Sequence, residues 1–131
     1  MLVSDNRMTP DLERELELLD YGDAPLTWWR SQVLTGALGV IAVYVEGERV
    51  ASVLWRRDDH GGRPCFVIAG AAGNHPRFDL ASVVLPALEA HAKRLGCELV
   101  RFHTRRRGLV ARGQAMGYDP AEFVLLKEIA A

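Results

Sequence analysis

Cysteine is scarce, aromatic residues are few, and neither charge nor apolar character is drawn out into a long run. The 131 residues include only two cysteines, Cys65 and Cys97. They are too few for a disulfide framework and too far apart for paired zinc ligands, so both are expected as reduced, packed thiols. The four histidines, His60, His75, His91 and His103, lack the i, i+4 or short-gap spacing that puts metal ligands on one element, and no metal is expected. No apolar run approaches the ~20 residues that cross a bilayer, and Met1 to Pro10 lacks the basic-then-apolar order of a secretion signal. The expectation is a cytoplasmic protein with no membrane partner.

Hydrophobic residues make up 49% and charged residues 25%, ordinary values for a folded domain, and the length suits one domain over residues 1–131. The net charge of -1 hides an asymmetry. Asp11, Glu13, Glu15, Glu17, Asp20 and Asp23 make the first segment acidic, while Lys93, Arg94, Arg101, Arg105, Arg106, Arg107 and Arg112 make a later one basic. Clustered guanidiniums can pair with phosphates. Only Phe102 interleaves them, however, so nucleic acid is not the expected partner and an acidic protein surface or solvent is.

Thr9-Pro10-Asp11 starts a helix with a capping hydroxyl, a first-turn proline and acids near the positive end of the dipole, and the helix runs to about Leu19. A second helix is predicted over Ala24–Leu34, closed by Gly36 and Gly39. Its adjacent Trp28 and Trp29 point about 100° apart, so one should line a groove or an interface. Val40–Val45 and Arg49–Arg57 read as a hairpin about Glu46-Gly47-Glu48. Asp58 to Gly62 reads as a turn, Pro64–Ala69 as a central strand, and Gly70 to Pro76 as a flexible loop. From Asp79 the period becomes 3.6, with Leu80, Val83, Val84, Ala87, Leu88, His91 and Leu95 on one stripe, Pro86 inside and Gly96 at the end. Glu98–His103 is a parallel-type strand, Gly108–Met116 a short helix ended by Gly117, and Phe123–Ile129 a closing antiparallel strand.

This order of elements, with the helix Leu85-Pro86-Ala87-Leu88-Glu89-Ala90-His91-Ala92-Lys93-Arg94-Leu95-Gly96-Cys97 and the segment Met116-Gly117-Tyr118, resembles the GNAT acyltransferase superfamily. Within it, Gly108-Leu109, Arg112, Met116-Gly117-Tyr118 and Leu125-Leu126-Lys127-Glu128 are similar to small GNAT-like proteins of tailed bacteriophages. The resemblance implies an α+β fold, a mixed and mostly antiparallel sheet of about five to six strands flanked by four helices. It also implies an acetyl-CoA site at Ala69, Gly70, Arg77, Leu80 and Ala81. The family's first strand has only Met1 to Val3 available here, and the sequence leaves open whether a neighbouring chain replaces it.

The family's pyrophosphate loop reads Gln/Arg-x-x-Gly-x-Gly/Ala, and main-chain amides at a helix start hold the anion. Laid on it are Pro76-Arg77-Phe78-Asp79-Leu80-Ala81, of which only Ala81 conforms. Pro76 lacks an amide proton, and Asp79 is expected to cap the helix with the amides a phosphate would use. A shifted register using Gly70 or Gly73 is an alternative. The family's tyrosine acid falls at Gly113, and Pro64–Ala69 carries no carboxylate base, which leaves only Asp58, Asp59 or His60 to activate water. No cofactor is therefore expected. The expected role is protein binding, to phage structural proteins in a virion or to a second copy, and the alternative is an acetyl-CoA-dependent N-acetyltransferase.

Overall fold

A computed structural model describes residues 1–19, 24–73, 79–104 and 106–130. Five strands and four helices follow in the order β1 (Leu2–Ser4), α1 (Pro10–Glu17), α2 (Leu26–Leu34), β2 (Gly39–Val45), β3 (Glu48–His60), β4 (Arg63–Gly73), α3 (Leu80–Arg94), β5 (Leu99–Phe102) and α4 (Arg107–Ala115). The strands lie in sequence order in one sheet. The first four are antiparallel, and β5 joins β4 in parallel after the α3 crossover.

The local signals for the helices act as expected. Thr9 Oγ1 accepts from the Leu12 amide at 3.1 Å, which satisfies one donor that the first turn leaves over. Gly96 and Gly117 end α3 and α4 with φ of +80° and +93°, a conformation that costs glycine little. Glu46 and Gly47 form the tight hairpin turn, also at positive φ.

Several boundaries differ from the sequence reading. Leu2–Ser4 pairs with Ile41–Val43 as β1, so the chain supplies its own first strand. Gly39 belongs to β2 and does not close a helix; a Cβ there would lie 2.6 Å from Trp55 Nε1. Asp58, Asp59 and His60 continue β3, leaving Gly61 and Gly62 as the turn. Gly70 to Gly73 is strand, paired with Ala51–Leu54, because small side chains do not prevent main-chain pairing to a strong neighbour. Asn74 to Pro76, the rest of the expected loop, lies outside the described residues.

Phe123–Ile129 is not a strand, and Tyr118 to Ala130 has no regular secondary structure. Strand propensity is realised only against a partner, and here β5 stays at the sheet edge.

The sheet separates two cores. On one face α3 packs over Ile41, Val43, Val53 and Phe66; on the other, α1 and α2 bury Leu12, Leu16, Trp29 and Val33 over Val40 and Leu54. α3 buries Val84, Leu85, Leu88 and Ala92, whereas Val83 is 46% exposed. The contact stripe is therefore rotated from the expected one. Residues 80–88 are apolar almost all round, so their periodicity does not fix which side faces inward. Trp29 is buried and Trp28 half exposed beside it, as two adjacent helical positions must diverge. Among the described residues no helix is long and apolar enough to cross a membrane.

Candidate functional site

β4 and β5 part company halfway along. Their parallel pairing covers Cys65–Ile68 against Leu99–Phe102 and stops, while β4 continues to Gly73. The register with β3 slips between Leu54 and Trp55, which skips Ala69 and makes it the extra residue of a bulge. Beyond the bulge, Ala69 to Gly73 has β3 on one side and, among the described residues, no strand on the other. An extended molecule bearing amide groups can use such an edge as a further strand would.

Small side chains shape this opening. Gly70 is buried, and a Cβ there would sit 3.1 Å from the Trp29 ring and 3.2 Å from Leu19, so the ring supports β4 from the α1/α2 side. Ala71 pairs with Val53 of the α3-side core, yet is itself exposed. Leu80 and Ala81 pack against that core at the start of α3.

The start of α3 is closed as the sequence indicates. Asp79 is the N-cap, its carboxylate accepting from the Ala81 amide at 3.2 Å and from Ser82 Oγ at 2.8 Å. Arg112 of α4 answers this charge, with Nε 3.5 Å from Asp79 Oδ2. The two side chains are 47% and 41% exposed, so water screens the pair and it contributes at most about 1 kcal/mol. Sequence reasoning identified the cap but not Arg112, whose approach depends on how α4 packs.

Of the expected cofactor residues, Ala69 and Gly70 stand on the open half of β4 and Leu80 and Ala81 at the α3 start. Arg77, with Pro76, lies outside the described residues. The expected water-activating group is elsewhere. Asp58 pairs with Cys65 and His60 with Arg63, at the opposite end of β4, and six residues from Cys65 to Ala71 span about 20 Å. There Asp58 accepts from Arg56 at 2.8 Å and from Arg101 at 2.9 Å, and Arg101 also meets His60 Nδ1 at 2.9 Å. Hydrogen bonds from Arg56, the Asp59 amide and Arg101 hold the Asp58 carboxyl well below its usual range, the opposite of what a base requires.

The position of the expected tyrosine acid is closed by packing. Gly113 is buried, and a Cβ there would approach Phe102 Cζ to 3.3 Å. Tyr118 fills the neighbouring space, its ring 5.3 Å from that of Phe102, and donates its hydroxyl to Glu89 at 2.7 Å. Burial, with Glu89 adding to it, pushes the phenol above its ordinary value. Glu89 is nine residues into α3, about 13 Å from its N-terminus, so Tyr118 does not serve the open edge.

The charged clusters are largely internal. Glu13 is held by Arg30 at 2.7 Å and Glu15 by Arg49 at 2.7 Å, while Asp11 pairs with Arg14. Of the later basic residues, Arg101 is engaged by Asp58, Arg112 by Asp79, and His103 faces Glu122 at 3.3 Å. Arg105 lies outside the described residues. Cys65 and Cys97 are buried free thiols, and burial raises the Cys65 pKa. Among the described residues, no group of three or more histidine, cysteine or acidic side chains is arranged to hold a metal ion.

Comparison with known proteins assigns the architecture. No protein-family model and no curated sequence matches the chain. Solved structures do. A ribosomal-protein-alanine N-acetyltransferase from Brucella melitensis biovar Abortus 2308 superposes with a TM-score of 0.73 at 10% identity, covering 98% of each chain. An aminoglycoside N-acetyltransferase in complex with CoA gives 0.69 at 14% identity, covering 100% of this chain and 95% of that one. An aminoglycoside 6'-N-acetyltransferase from Acinetobacter haemolyticus gives 0.65 at 16% identity, covering 100% and 99%. The chain thus has a GNAT-like α+β fold, a mixed five-stranded sheet with four helices, and several of its structural neighbours are acetyltransferases.

Proposed function

We propose that the chain binds an acyl-CoA thioester along the open edge of β4 and transfers the acyl group to an amine. The observation that carries this reading is the parting of β4 and β5 after Ile68 and Phe102, which leaves Ala69–Gly73 beside the α3 start with no strand on its outer edge among the described residues. Several structures that share the architecture belong to acetyltransferases, and one holds CoA, which supports the reading without fixing the acceptor.

In this mechanism the pantetheine arm pairs its amides with the free edge from Ala69 to Gly73. Ala71, small and exposed, leaves room for the approach. A neutral amine attacks the thioester carbonyl carbon, a C–N bond forms as the C–S bond breaks, the CoA thiolate takes a proton and the ammonium loses one. No residue from Arg63 to Gly73 is a carboxylate, histidine or tyrosine, so β4 offers positioning rather than acid–base assistance. The expected enzyme is slow and depends on an amine that is already deprotonated.

Asp79 sets the main limit on donor affinity. A carboxylate about 4 Å from a phosphate costs on the order of 4 kcal/mol at an effective dielectric near 20, and about a quarter of that in water. At 41% exposure, and with Arg112 alongside, the lower value applies. The diphosphate is weakened, not excluded.

A second reading draws on the same cap. Asp79 accepts from the Ala81 amide, a donor that an anion would otherwise use, which favours a protein that keeps the fold and acts by binding other proteins, as a phage virion or accessory component would. Release of free CoA from acetyl-CoA, followed with a thiol-reactive dye across a panel of amines, separates the two. The chain's own thiols are buried and give little background. Amine-dependent release supports transfer; its absence with every amine, as the pH is raised, supports the binding role.

A further inference from the structure

Three groups converge on the Asp79 carboxylate. The Ala81 amide donates to Oδ1 at 3.2 Å, Ser82 Oγ donates to Oδ2 at 2.8 Å, and Arg112 Nε approaches the same Oδ2 to 3.5 Å. The cap is thus closed by two hydrogen bonds from its own helix and one ion pair from α4. A phosphate reaching the start of α3 meets a carboxylate where free amides would have favoured it, so the helix itself is not the anion site.

Arg112 commits only Nε to that pair. Among the described residues Nη1 and Nη2 have no acceptor, and they carry most of the guanidinium's N–H donors. Gly108, one turn earlier on α4, leaves them uncovered: a Cβ there would begin 3.7 Å from Nη1. From Arg106 to Met116 the sequence has three arginines and no acid, so α4 presents this fork on a positive background. A planar guanidinium with two outward nitrogens matches two oxygens of a single phosphate.

We propose that Arg112 is the phosphate anchor of the thioester site and that it reads one phosphate. The donor is then recognised as a 4′-phosphopantetheine thioester, and the rest of a CoA nucleotide adds little. This inference rests on the reading of the β4 edge as the pantetheine site. A molecule running along Ala69–Gly73 has the α3 start beside it, and its first phosphate takes the two outward nitrogens of Arg112 while Nε stays with Asp79. Each further phosphate adds charge near the Asp79 carboxylate, which repels it.

Calorimetric titrations of acetyl-pantetheine, acetyl-4′-phosphopantetheine and acetyl-CoA into the wild type, Arg112→Gln and Arg112→Lys test this. In the wild type the first phosphate is expected to tighten binding about fivefold, and the nucleotide of CoA to change it by less than about threefold. Arg112→Gln should abolish the phosphate gain yet bind acetyl-pantetheine as the wild type does, which also shows that the variant is folded. Arg112→Lys, a point charge without the fork, should keep only part of the gain. Equal affinity of the wild type for acetyl-pantetheine and acetyl-4′-phosphopantetheine, a phosphate gain that survives Arg112→Gln, or a nucleotide gain above about threefold would overturn the assignment and leave the edge as the pantetheine site. Failure of all three to bind the wild type would overturn the edge reading and this proposal with it.

Discussion

The two halves of β4 share a strand and differ in what flanks them. From Cys65 to Ile68 the strand has β3 on one side and β5 on the other, and its side chains are buried. From Ala69 to Gly73 it keeps β3 alone, and exposed Ala71 alternates with buried Gly70 and Ala72. The first half carries stability, with Phe66 stacked on Trp55 at 4.9 Å and fully enclosed. The second half has no strand on its outer edge among the described residues, and it is there that the proposed thioester would pair. A bulge at Ala69 lets one strand do both, since it ends one pairing without ending the strand.

The contrast is broken most strongly from the closed side. Phe66→Ala is expected to cost about 3–5 kcal/mol, read as a shift of the urea midpoint, because it removes the stacked ring and leaves a cavity. Ala71→Trp attacks the open side. It should fill the gap beside β4 and lower acetyl-CoA affinity by at least about tenfold, or 1.4 kcal/mol, while leaving the urea midpoint nearly unchanged. If Ala71→Trp instead unfolds the protein, the second half is a core element and the division fails.

Asp79→Asn sharpens the boundary between the halves and the helix. Asparagine caps about as well as aspartate, so stability should stay within about 0.5 kcal/mol. Loss of the carboxylate should tighten acetyl-CoA binding by about fivefold, corresponding to the ~1 kcal/mol repulsion of a solvated charge. A smaller effect is pH-dependent. His91 stands edge-on to Trp55 and Phe66, and burial, reinforced by Arg94, lowers its pKa from 6.5.

The unfolded chain therefore takes up a proton before the folded one. Stability is complete above about pH 6.5 and falls as the pH drops through the window just below it. Glu13 and Asp58, lowered from 4.5 and 3.8 by their arginines, lose their contributions only below those values, so the earlier fall isolates His91. Thermal unfolding of His91→Gln between pH 5 and 7 should be flatter than that of the wild type.

Much of this contrast was legible in the sequence, unevenly. Thr9, Asp79, Gly96 and Gly117 announce helix ends because capping is local chemistry, and each acts as read. The open half of β4 was not legible. Gly70-Ala71-Ala72-Gly73 reads as a loop, since nothing within it reveals that β3 extends alongside. The same holds for Asp58 to His60, where turn-like residues are held in a strand by register. Pairs such as Glu15 with Arg49 or Asp58 with Arg101 join residues 34 and 43 positions apart and depend on the finished fold. Propensity overreached at Phe123–Ile129, where β-forming residues find no strand partner among the described residues.

Calorimetric titration of acetyl-CoA into the wild type and Asp79→Asn most directly tests whether the free edge of β4 is a thioester site that Asp79 weakens. The account predicts saturable binding to both proteins, tighter for the variant. No heat from either at millimolar acetyl-CoA would contradict it.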